Sequence, residues 1–259
     1  MSSASDTGIL ELSGIRFSYT GGSAFVDDLG FRIGEGEFIG LLGANGSGKS
    51  TILKIAAGIL TPSAGEVSLW NMPLHAYSNK DRAKLLCYLP QSLDMTIPFT
   101  VSELVGMGLY PYDIVPEMSV DDALDLVGLR DKAQSRISDL SGGERRRAFV
   151  AMTLLQGAGI FLLDEPLANL DIRYQIELVR LLRDLRTARK ISVVMALHDI
   201  NIALQFEKVI LIKKGTIIGR GRPEDVLTEE YIAEAFGVQV KIMRHPDGKA
   251  YISYAENFS

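Results

Sequence analysis

The stretch Phe38-Ile39-Gly40-Leu41-Leu42-Gly43-Ala44-Asn45-Gly46-Ser47-Gly48-Lys49-Ser50-Thr51 carries more architectural information than any other in the chain. Its first five residues are apolar and brief, as a strand buried on both faces requires. From Ser50 onward, Ile52, Leu53, Ala56, Ile59 and Leu60 recur at helical spacing, and Thr61-Pro62 is expected to end that helix. Between strand and helix lies G-x-x-x-x-G-K-S, the pattern of a phosphate-binding loop in the context that the pattern needs. The glycines let the backbone turn tightly and aim N–H groups at phosphate oxygens, and the helix start adds positive potential. Lys49 is then placed to reach the β- and γ-phosphates, and the Ser50 hydroxyl to ligate Mg²⁺.

Around this unit, strands and helices alternate, which predicts an α/β fold with a mainly parallel sheet. Upstream, short strands are expected at 10–12, 15–19 and 29–33, broken by Gly21-Gly22 and by Gly34-Glu35-Gly36. From about Ser92 to Gly157 the pattern turns helical, with turns at Pro98, Pro111 and Pro116 and N-caps at Thr100 and Ser119. Asp121 and Asp122 suit the positive end of the second of these helices. Alternation resumes with a strand at 160–163, a helix at 172–189 and a strand at 191–197. A hairpin about Lys214-Gly215, a helix at 229–236 stopped by Gly237, and a hairpin turning on Pro246-Asp247-Gly248 complete the pattern.

Two further motifs bear on chemistry. Ile160-Phe161-Leu162-Leu163-Asp164-Glu165-Pro166 is an apolar strand that ends in two carboxylates pointing to opposite faces. Asp164 is placed for the Mg²⁺ shell and Glu165 to orient or deprotonate an attacking water. An Asp-Glu pair after a strand is also a common N-cap arrangement; the phosphate loop favours the catalytic reading. Leu140-Ser141-Gly142-Gly143-Glu144 precedes a helix expected over 145–156, so Ser141 and the two glycines form a second anion site, or else a plain capping turn. One nucleotide needs only one such site, and no arginine finger is evident. Both points are met if the second site serves a nucleotide held by another copy, which predicts a head-to-tail pair.

With these motifs the chain resembles the ATP-binding cassette (ABC) ATPase subunits over nearly its whole length. The resemblance implies a P-loop NTPase core of RecA-like α/β type with an antiparallel β subdomain and an inserted helical subdomain. It implies one ABC ATPase domain over 1–259, with the core and β subdomain at about 1–91 and 158–259 and the helical part at about 92–157. The 140–144 segment resembles the family signature, which usually ends in Gln where this chain has Glu144. In this light ATP is held by Gly43, Ala44, Asn45, Gly46, Ser47, Gly48, Lys49, Ser50 and Thr51. Tyr19 resembles the aromatic that stacks on adenine, although a lone Tyr there also suits strand packing. Gln91 resembles the Q-loop glutamine that touches Mg²⁺ with Ser50 and Asp164, His198 the switch histidine on the γ-phosphate, and Asp171 the D-loop aspartate. Asp171 also reads as the N-cap of the helix after it. Ser141, Gly142, Gly143, Glu144 and Asp171 would act in trans, and Glu165, His198 and Lys49 would be catalytic.

The resemblance also implies partners. The 89–111 segment and the tail from Gly219 to Gly237 resemble importers of iron–siderophore, haem and cobalamin type, whose relatives usually carry Arg where this chain has Leu109. Such a subunit works as a homodimer beneath separate transmembrane permease subunits, served indirectly by a substrate-binding protein, peripherally at the cytoplasmic face of the inner membrane. Importers of molybdate, zinc or manganese, and a soluble non-transport cassette such as an iron–sulfur assembly ATPase, share the nucleotide motifs. Met107, Leu109, Tyr110 and Tyr112 read either as insertion core or as a loop that docks a membrane subunit.

Composition narrows the alternatives. The 259 residues hold 27 Lys plus Arg against 32 Asp plus Glu, a formal net charge of −5, which speaks against nucleic acid or an anionic bilayer as the partner. Arg145, Arg146 and Arg147 accordingly read as a solvated helix face or as salt-bridging positions. One cysteine, Cys87, excludes an internal disulfide and reads as an inert core thiol; His75 and His245 have no metal-ligand spacing. The longest aliphatic runs are too short to span a membrane, and the N-terminal residues lack the features of a signal peptide.

Overall fold

The structure, a computed structural model, describes residues 8–19, 24–91, 98–113 and 117–254. The expected breaks at Gly21-Gly22 and Pro116, the Ser92 boundary and most of the N-terminal segment lie outside these residues. Strands β1 (Leu10–Phe17) and β2 (Val26–Ile33) precede β3 (Phe38–Leu42) and helix α1 (Lys49–Ala56). Then come β4 (Ala64–Leu69), β5 (Met72–Pro73), α2 (Asn79–Leu85) and β6 (Leu86–Leu89). Helices α3 (Val101–Gly106), α4 (Val120–Leu126) and α5 (Gly142–Gln156) fill the middle, followed by β7 (Ile160–Asp164), α6 (Ile172–Arg189), β8 (Ser192–Leu197) and α7 (Ile200–Ala203). Last are β9 (Lys208–Lys213), β10 (Thr216–Gly221), α8 (Pro223–Val226), α9 (Glu229–Phe236) and the hairpin of β11 (Val240–Arg244) and β12 (Ala250–Tyr254).

The central sheet has the order β10-β9-β3-β8-β7-β6. Its strands are parallel except for β10, which is antiparallel at one edge. Both faces are covered, and the period-two alternation assigns each side chain to one core. Leu42, Phe161, Leu163, Val193 and Met195 pack toward the helices, while Ile39, Leu41, Ile160, Leu162 and Val194 pack toward α1 and the antiparallel strands. A second sheet, β2-β1-β4-β5, is antiparallel throughout. The expected α/β class is therefore the observed one, and no helix among the described residues is long and apolar enough to cross a membrane.

Several local expectations are corrected. The segments expected at 10–12 and 15–19 form one strand, whose register shifts where Gly14 adopts φ +59° and makes a bulge. Helix α1 stops at Ala56, not at Thr61-Pro62. Gly58 turns left-handed (φ +69°), and the N–H groups of Gly58 and Ile59 bond to Ile55 and Lys54 carbonyls, a Schellman ending. Strand β4 and helix α2 went unpredicted because they lack an apolar pattern; α2 buries none of its residues. The N-caps at Thr100 and Ser119 are both present as full capping boxes, with Glu103 and Asp122 returning the bond.

Candidate functional site

Parallel register brings the ends of three strands together. Leu42 stands beside Leu197, and Asp164 beside Ala196, so the residues that follow β3, β8 and β7 emerge at one carboxyl edge of the sheet. That edge is where open α/β sheets bind ligands. After β3 the chain must turn under the sheet. Gly43 takes φ +155°, and a Cβ there would come within 2.3 Å of the Ile212 carbonyl and 2.5 Å of Ser47 Oγ. Gly46 and Gly48 also have positive φ, and Gly48 is the N-cap of α1 with no side chain engaging the helix N–H groups. The loop is braced by Gly215 N–H on the Ser47 carbonyl at 2.7 Å.

Lys49 is buried and folds back to donate to the Gly43 and Ala44 carbonyls at 2.7 and 3.2 Å. Burial pushes its ammonium below the usual lysine range, while Glu165 and Asp164 act the other way. Ser47 Oγ is buried without a hydrogen-bond partner, a donor that a bound oxyanion would satisfy. Asp164 is almost wholly buried, which pushes its carboxyl above the ordinary range. It accepts from Ser50 Oγ at 3.0 Å and from the Tyr88 hydroxyl at 3.1 Å. These are hard oxygen donors, a set that suits Mg²⁺. Among the described residues no group of three or more His, Cys, Asp or Glu could hold a metal unaided. Mg²⁺ commonly takes one or two protein oxygens and completes its shell with phosphate and water, so the pair fits it.

Glu165 sits one residue beyond β7 at φ +51°, an uncommon conformation for a residue with a side chain. Both carboxylate oxygens are held: Oε2 accepts from Gln91 Nε2 at 2.6 Å, and Oε1 meets His198 Nε2. A cleft of about 380 Å³ opens over these groups, lined by Phe25, residues 45–51, Gln91, Glu165 and His198. Gly43, Ala44 and Asp164 lie beside that lining, bonded to Lys49 and Ser50. Tyr19 bonds through its hydroxyl to Thr51 Oγ1 at 2.7 Å, meets Phe17 and Phe25 edge-on, and is 60% exposed as a residue.

The turn at 141–144 is not part of that cleft. Helix α5 begins at Gly142, earlier than expected, with Ser141 as its N-cap. Gly143 comes close to the Asn169 carbonyl, so this turn lies against the segment that leads to Asp171. Asp171 occupies the N-cap position of α6, but its side chain makes no capping bond and is exposed, which corrects the capping half of its expected role. Of the apolar insertion residues, Leu109 packs against the core and the Tyr112 hydroxyl donates to the Gln156 carbonyl, whereas Met107 and Tyr110 face outward.

The arginines of α5 overturn the solvated-face expectation. Arg146 is 3% exposed, and its five N–H donors reach the carbonyls of Pro90, Gln91, Asp164, Glu165 and Pro166. Arg147 is 9% exposed, donates to the Val127 and Gly128 carbonyls, and lies 3.9 Å over the Tyr174 ring. The signal was present: Phe149, Val150 and Leu154 share a helical face with Arg146. Tyr88 was also missed, although it stands three residues before Gln91. Cys87 is buried, with its thiol pushed well above the usual range, as an inert core thiol should be.

The family model for the ABC transporter matches residues 26–168. The petrobactin import ATP-binding protein FpuD of Bacillus anthracis is 35% identical over 92% of this chain and 89% of its own length. The hemin import ATP-binding protein HmuV of Nitrobacter winogradskyi is 37% identical over 88% of each. Among solved structures, a dimeric post-hydrolysis ATP-binding cassette bound to ADP and Pi superposes with a TM-score of 0.75 at 27% identity, covering 83% of this chain and 98% of that one. The chain belongs to the ABC transporter family, whose ATP-binding cassette it constitutes.

Proposed function

We propose that this cassette is the ATP-hydrolysing subunit of an importer for a metal chelate of the siderophore, haem or cobalamin kind. The observation that carries the catalytic half is the cluster of Gln91, Glu165 and His198 over Lys49, Ser50 and Asp164. Support for the cargo comes from relatives whose names specify petrobactin, hemin and cobalamin import. In this reading the 43–51 loop wraps the phosphates, Lys49 neutralises charge at the γ-phosphate, and the exposed Tyr19 stacks on adenine. Ser50, Asp164 and Gln91 would hold Mg²⁺, which supplies further charge neutralisation. Glu165, held by two donors, orients the attacking water and takes its proton, and His198 donates to the γ-phosphate.

The cleft lacks the 141–144 turn, so a second copy is the natural source of that donor set. Two subunits then sandwich two nucleotides, with Ser141, Gly142, Gly143, Glu144 and Asp171 acting across the interface. Closure on ATP and opening after hydrolysis drive separate permease subunits at the cytoplasmic face of the membrane. Met107 and Tyr110, exposed beside the helical layer, suit contact with such a permease, and a substrate-binding protein would deliver the chelate. Replacing Glu165 with Gln tests the assignment. The variant should lose about 100-fold or more in turnover and form a stable dimer with ATP by light scattering. A variant that stays monomeric and keeps turning over overturns it.

A further inference from the structure

The second phosphate site contains an apparent contradiction. Glu144 closes a capping box at the start of α5: its Oε2 accepts from Ser141 N–H at 2.9 Å and from Ser141 Oγ at 3.0 Å, and its own N–H donates to Ser141 Oγ at 3.3 Å. An ionised carboxylate accepts only, so it takes up two donors of the turn that a phosphate would use and adds a negative charge where a polyanion must arrive. The other oxygen, Oε1, is engaged by Lys132 Nζ, which comes from a 3₁₀ turn (Arg130–Lys132) twelve residues earlier and not from α5. Lys132 is itself 38% exposed in its side chain, so the pair reaches the molecular surface beside the 141–144 turn.

Neighbouring cations are committed elsewhere. Arg130 pairs with Asp121 at 2.9 Å and Asp125 at 3.3 Å. The Arg145 guanidinium donates to the Leu140 carbonyl at 3.4 Å with its Nε unpartnered, and Arg146 and Arg147 donate to carbonyls rather than to Glu144. The carboxylate is thus fully occupied, one oxygen by the cap and the other by an ammonium, and cannot swing out as a free charge. Consistent with this, Lys132 and the Ser141 bonds hold the Glu144 carboxyl down at about 2.

We propose that Lys132 is a positioning residue of the second phosphate site: paired with Glu144, it neutralises that carboxylate so that the terminal phosphate held by a second copy can approach Ser141. This rests on the reading that the 141–144 turn meets the partner's nucleotide. Without Lys132, the phosphate faces an uncompensated carboxylate, and closure weakens although each subunit still binds its own nucleotide.

The test is a cycle of Lys132→Met, Glu144→Gln and the double variant in the full chain, with and without Glu165→Gln. Lys132→Met should weaken ATP-driven dimerisation, and raise KM for ATP, by about tenfold or more, since like charges facing each other across an interface are costly. Binding of a non-hydrolysable ATP analogue to the monomer should not change. Adding Glu144→Gln should restore dimerisation, because removing the charge removes the need for its partner. Full dimerisation by Lys132→Met, or a double variant as poor as the single one, overturns the role of Lys132. A Glu165→Gln parent that fails to dimerise with ATP overturns the paired reading and this inference together.

Discussion

Two helix N-termini in this protein are candidate anion sites, and they are built in opposite ways. The start of α1 follows Gly48, left-handed at φ +111°, and no side chain engages its N–H groups. Its lysine is folded inward and its serine hydroxyl at position 47 has no partner. The start of α5 carries a side-chain cap, with Ser141 and Glu144 exchanging bonds and Lys132 pairing with the carboxylate. Under the proposed function, the loop that grips phosphate by itself leaves a buried hydroxyl donor unspent. The turn that waits for a partner's nucleotide is capped in the meantime. In that reading the difference separates binding in cis from closure in trans.

The contrast can be broken first at Gly43. A methyl group there meets the Ile212 carbonyl and Ser47, so Gly43→Ala should lose nucleotide binding outright. It should also lower stability by about 2 kcal/mol, read by calorimetric titration and by urea unfolding. Retained binding would mean that the loop is not shaped by that close approach. Next, Ser141→Ala should reduce turnover by about 100-fold while leaving analogue binding to the monomer intact. Its effect on stability should be only about 1 kcal/mol, the loss of one cap. Equal loss of binding would place both helix starts on one nucleotide.

The smallest effect concerns pH. Glu144 has its folded pKa depressed to about 2 from 4.5, so its contribution is fully present above pH 4.5 and is lost as pH falls toward about 2. A carboxyl-detected NMR titration should show Glu144 still ionised at pH 4, and Lys132→Met should move its midpoint upward. A midpoint near 4.5 in the unaltered protein would mean that the cap is not charge-assisted.

The cis site was largely legible because its residues obey short, local rules. Lys49, Ser50, Asp164 and Glu165 follow from a loop pattern and a strand end, whereas Gln91 and His198 stand out only through the family resemblance; parallel register gathers all six at one edge. Helix starts at Thr100 and Ser119 were legible for the same reason, since a capping box spans only four residues. Non-local partnerships left no such trace. Lys132 and Glu144 are twelve residues apart across a 3₁₀ turn, a spacing that no periodicity marks. Arg146 reads from sequence as a solvated or salt-bridging position because a charge ordinarily seeks water or a counter-ion, whereas here five backbone carbonyls replace them. The polar β4 and α2 were missed because they bury little and so show no hydrophobic pattern.

The burial of Arg146 also has a mechanical consequence. Its guanidinium ties α5 to the backbone of Pro90-Gln91 and of Asp164-Glu165-Pro166, so it acts as a pivot common to the two segments that position Glu165. Ser141 lies five residues up the same rigid helix, a lever arm of about 7.5 Å at 1.5 Å per residue. Any swing of α5 that carries Ser141 toward a partner must either break these bonds or drag Gln91 and Glu165 along with it. While those bonds hold, movement of the Ser141 end of α5 and movement of the Gln91 and Glu165 backbone are a single displacement.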